Sequence, residues 1–137
     1  MNRDHLAAEP VLALLGMRRT LARRLTSALE EWGVQPCHAS LFGSASRGDG
    51  GTDGDIDVFL VRPPGLDAEA PGWRSDVDAL SAAVLRWTGN RAGIAEVSLG
   101  DVHRLKRERP PIVENLERDA ITLVGIDVHR LFAAAEG

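Results

Sequence analysis

Between Leu41 and Val61 the chain reads LFGSASRGDGGTDGDIDVFLV. Two short apolar runs are held apart by a stretch too rich in glycine and aspartate for regular structure. Residues 37–42 predict a short buried strand that runs straight into Gly43-Ser44, and Asp55 to Val61 predicts a second strand, stopped by Pro63-Pro64-Gly65. A chain built around that pair must form a sheet, and what surrounds the pair supplies its cover. Leu14, Met17, Leu21, Leu25, Ala28 and Trp32 recur at helical spacing and predict a helix from Pro10 to Trp32, with Gly33 expected to stop it in a left-handed conformation. A second helix fits Gly72 to Trp87, with Trp73, Val77, Leu80, Val84 and Trp87 on one face. Gly93 to Leu99 reads as a third strand, residues 100–109 as helical in part, 112–119 as helix, Ile121 to Val124 as a last short strand, and the tail from Asp127 as a short helix. The expected architecture is an α+β or α/β layered domain, one small mixed sheet with helices packed on it.

The 137 residues suit one domain, divided into an N-terminal helical part over 1–33, a core over 37–99 and a C-terminal part over 100–137. The lone cysteine, Cys37, has no internal partner and reads as an inert thiol. No apolar run reaches membrane-spanning length and no leader pattern opens the chain, so the expected location is the cytoplasm. A net charge of −4 argues against general nucleic-acid binding. The basic groups Arg18, Arg19, Arg23, Arg24 and Arg104, Lys106, Arg107, Arg109 read as a solvated helix face and a helix terminus. The histidines show no metal-ligand spacing, although His38 is placed to line the sheet.

The chemistry is concentrated in the first motif. Asp55 and Asp57 are two apart at the head of a strand and share one face. Carboxylates that close repel each other unless a cation lies between them, and a hard divalent ion with oxygen ligands answers that need. Gly43 allows close approach of backbone to a phosphate, Ser44 adds a hydroxyl and Arg47 a planar guanidinium. A metal-bridged polyphosphate fits this set. A phosphate-binding P-loop would need Gly-Lys-Ser/Thr, which does not occur. An EF-hand starting at Asp53 would need glycine where Val58 stands and glutamate where Pro64 stands.

Phe42-Gly43-Ser44, ten residues, then Asp55-Ile56-Asp57-Val58 resembles the signature of the nucleotidyltransferase superfamily with a DNA-polymerase-beta-like fold. Gly-Ser-x-x-Arg-Gly is similar to the minimal nucleotidyltransferases of prokaryotes, with Gly54 a departure from the serine common before the first aspartate. The resemblance implies that fold, two magnesium ions held by Asp55, Asp57 and a third carboxylate matched in position by Glu96, and a triphosphate bound by Gly43, Ser44 and Arg47. Asp101 is the next candidate for the third carboxylate. The implied reaction moves a nucleoside monophosphate, AMP from ATP, to an acceptor hydroxyl. Only 38 residues follow Leu99, too few for a drug-holding domain, so a protein acceptor as in toxin–antitoxin pairs is the favoured partner. A small-molecule transferase working as a homodimer and a non-catalytic antitoxin-like binding module are the alternatives.

Overall fold

The structure is a computed structural model and describes residues 9–42 and 56–133. Helix α1 spans Glu9–Glu30, strand β1 His38–Phe42, β2 Ile56–Val61, helix α2 Pro71–Thr88, β3 Ala92–Val97, α3 Leu99–Glu108, α4 Pro111–Asp119, β4 Ile121–Gly125 and α5 Val128–Leu131. The four strands make one mixed sheet in the order β3-β2-β1-β4. β1 is antiparallel to both β2 and β4, whereas β2 and β3 run parallel through the crossover that contains α2. A short turn cannot join parallel neighbours, and α2 supplies the long connection that they need.

Alternation along the strands sorts the side chains into two cores. On one face Ile56, Val58 and Leu60 of β2 pack with Ala39 and Leu41 of β1 against Leu21, Leu25 and Leu29 of α1 and Trp73, Val77, Leu80 and Val84 of α2. Trp32 meets Trp73 edge-on, with ring centroids 5.2 Å apart. On the other face Phe42, Phe59 and Val61 pack against Val102 of α3, Val113 and Leu116 of α4, and Leu131 and Phe132 around α5. Full burial of each such side chain is worth about 1.5–3 kcal/mol, so the double-sided β2 anchors both layers. Among the described residues no helix is long and apolar enough to cross a membrane.

The expected elements are present, with shifted ends. α1 stops at Glu30, and Gly33 is not left-handed; the amide of Gln35 instead donates to the carbonyl oxygens of Leu29 and Trp32 at 2.9 and 3.0 Å. A side-chain amide satisfies end carbonyls as well as a left-handed glycine does. α2 ends as expected, with Gly89 left-handed at φ 79°. α3 opens on a capping box in which Ser98 accepts from the Asp101 backbone N–H and Asp101 accepts from that of Ser98.

Candidate functional site

Asp57 is the second residue of β2 and pairs with Phe42, the last residue of β1, on one side and with Gly93 of β3 on the other. Its side chain is half-buried on the sheet face that carries Phe59 and Val61. Its Oδ1 lies 3.0 Å from the point a Cβ on residue 93 would occupy, so the carboxylate leans over the β3 backbone. β1 ends at Phe42 and β2 begins at Ile56, next to Asp57. Gly43, Ser44, Arg47 and Asp55 belong to the intervening segment and lie outside the described residues.

Glu96 does not join Asp57. In the parallel register Glu96 pairs with Leu60, three residues along from the Asp57–Gly93 level. At about 3.3 Å per residue that separates them by roughly 10 Å along the strands. Residues 93 and 96 also point to opposite faces. The Glu96 carboxylate meets α2 and the residue after β2 instead: Oε2 accepts from Arg62 Nη1 at 3.0 Å and from the Trp73 indole N–H at 2.7 Å, and Oε1 accepts from Arg74 Nη1 at 3.2 Å. Burial works against its charge, but the hydrogen bonds from Trp73, Arg62 and Arg74 outweigh it and hold the carboxyl below its ordinary range. The expectation that Glu96 is the third metal carboxylate is corrected on this geometry. The period-two alternation of the strands puts Glu96 on the face opposite Asp57, and three donors already occupy its oxygens. Asp101 is no substitute, because its oxygens accept from the Ser98 backbone and from Arg104 at 2.6 Å. Among the described residues no group of three or more His, Cys, Asp or Glu could hold a metal ion.

His38 and Ser40 are fully buried on the Asp57 face. His38 Nδ1 lies 2.6 Å from the Ile126 carbonyl oxygen, which can only accept, so Nδ1 carries the proton and Nε2 accepts from the Ser40 hydroxyl at 3.0 Å. Burial lowers the imidazole pKa, against the opposing pull of Ile126 and Asp127, and favours this neutral form. The ring therefore braces β1 against the turn after β4.

The basic groups are largely engaged within the chain. Arg18 donates to the Asp119 carbonyl oxygen at the end of α4, and burial lowers its pKa despite the nearby Asp119 charge. Arg24 lies over the Trp87 ring at 5.6 Å, and Arg109 pairs with Glu117 at 2.7 Å. For Arg18 the expectation of a solvated face is thus corrected. Sequence reasoning also missed Gly93 and the Arg62–Trp73–Arg74 cradle, because cross-strand register leaves no local mark in the chain.

No protein-family model and no curated protein matches the chain. Solved structures do resemble it, two of them as follows. One is a toxin–antitoxin complex with AMP-PNP, at 16% identity, covering 81% of this chain and 80% of that chain with a TM-score of 0.51. The other is a mutant of the toxin–antitoxin pair MntA–HpeT, at 13% identity, with coverage of 81% and 80% and a TM-score of 0.52. The likeness shows the fold alone: a mixed four-stranded sheet with packed helices.

Proposed function

We propose that this chain is a nucleotidyltransferase that binds a nucleoside triphosphate, ATP foremost, together with two magnesium ions, and transfers the nucleoside monophosphate to a hydroxyl on a partner protein. The observation that carries the reading is the position of Asp57 at the head of β2, level with the end of β1, in a fold shared with toxin–antitoxin structures of which one holds AMP-PNP. Asp57 offers half-buried carboxylate oxygens beside Gly93 of β3, and hard oxygen ligands are what magnesium takes. Asp55 and Asp57 would hold the ions, and Gly43, Ser44 and Arg47 would take the triphosphate. Bound magnesium supplies charge neutralisation at the phosphates. The acceptor oxygen bonds to the α-phosphorus, the α–β bridging bond breaks and pyrophosphate leaves. With Glu96 tied to α2, the hydroxyl proton passes to the Asp55/Asp57 pair or to solvent.

The diversion of Glu96 also favours a second reading, an antitoxin-like module that binds nucleotide and partner without turnover. One experiment separates the two. The protein is incubated with ATP, magnesium and the product of its neighbouring gene, and that product is weighed by mass spectrometry. Addition of a nucleoside monophosphate supports transfer. An unmodified partner that still forms a complex supports the binding module.

A further inference from the structure

We propose that Gly93 is a positioning residue for the metal site: its missing side chain is what lets the Asp57 carboxylate lie against β3. The inference rests on the reading of Asp57 as a metal ligand. In the parallel pair Asp57 and Gly93 stand side by side on one face. A Cβ at residue 93 would fall 3.0 Å from Asp57 Oδ1, the edge of what real contacts allow. Any other residue there must push the carboxylate by some tenths of an ångström or turn it to another rotamer. The fold would hardly register the change, since Gly93 is exposed and its φ is not positive. A strand also accepts alanine at least as readily as glycine.

A metal ligand is far less tolerant. Ligand distances are held to about 0.2 Å, and residues that orient ligands typically govern roughly 10–100-fold in affinity. Magnesium demands near-ideal octahedral geometry at short distance, whereas calcium accepts longer and irregular contacts. A displaced Asp57 should therefore penalise magnesium more than calcium. A merely structural role for Gly93 would not change the preference between the two ions.

The test measures ATP binding as magnesium or calcium is titrated, in the parent, Gly93→Ala, Gly72→Ala and Asp57→Ala. Gly72 in α2 has nothing within 4 Å of its would-be Cβ and serves as the neutral glycine control. Gly93→Ala is expected to raise the half-saturating magnesium concentration about tenfold, the calcium value much less, and to keep the parental melting temperature. Gly72→Ala should match the parent for both ions. A parental magnesium requirement in Gly93→Ala overturns the inference, as does an equal loss for both ions. If Asp57→Ala also binds as the parent does, the underlying assignment of Asp57 has failed, and that result is distinct from a failure of Gly93 alone.

Discussion

Glu96 carries a charge that the apolar sheet face around it would reject without Arg62, Arg74 and Trp73. Glu96→Gln removes the negative charge between Arg62 and Arg74 and turns one acceptor oxygen into an N–H donor, and should lower unfolding free energy by about 1–3 kcal/mol in urea titrations. ATP binding by the folded variant should stay parental, because the cradle is on the face opposite Asp57. The sign with pH follows from the depressed carboxyl. Its stabilisation is complete above the unfolded value near 4.5 and is lost as pH falls from there through the folded pKa. His38 acts higher on the scale. Its lowered pKa means that the unfolded chain gains a proton first, so stability declines as pH falls below about 6.5. Melting temperatures between pH 7 and pH 5 should decline less in His38→Gln than in the parent; an unchanged slope would contradict this account of the buried imidazole. The place of His38 on the sheet was readable in the chain, but its hydrogen bonds and the partners of Glu96 were not. Glu96 is half-buried between Ala95 and Val97, and its facing depends on the β2–β3 register, which is set by tertiary pairing.

Most elements were legible because their periods are clean: the stripes of α1 and α2 and the apolar runs of β1 and β2 appear where periodicity puts them. The terminations were less so. Gly33 follows the right pattern for a helix stop, yet Gln35 does that work through its side chain, a contact no local rule predicts. Gly125 is the reverse case, a glycine with no sequence signal and a strict requirement. It ends β4 at φ 82°, and a Cβ there would sit 2.1 Å from the Cys37 carbonyl oxygen. That oxygen also accepts from the Ile126 N–H at 2.9 Å, so the neighbouring backbone is not free to retreat. Gly125→Ala should cost more than about 1 kcal/mol, seen as a lower urea midpoint. A parental midpoint would mean that the β4 turn relaxes without cost.

At the scale of the whole molecule, helices on both faces of the sheet leave the head of β2 and the end of β1 at one end, where Asp57 stands. The α+β layering was legible in the order of apolar runs and helical stripes along the chain. The strand order was not, because β1–β4 pairing joins segments about 80 residues apart. Of the expected site residues, Asp57 stands at the head of β2, Glu96 lies on the opposite sheet face, and Gly43, Ser44, Arg47 and Asp55 fall outside the described residues. The chain contains no tyrosine, which rules out self-modification on a phenol and is in keeping with an acceptor on another molecule. The central claim is a metal-dependent nucleotide site at Asp57, and equilibrium dialysis with labelled ATP tests it most directly, with and without magnesium, on the parent and Asp57→Ala. The account predicts saturable binding by the parent only when magnesium is present, and none by Asp57→Ala at an unchanged melting temperature. Equal ATP binding by the two proteins, or binding indifferent to magnesium, would contradict it.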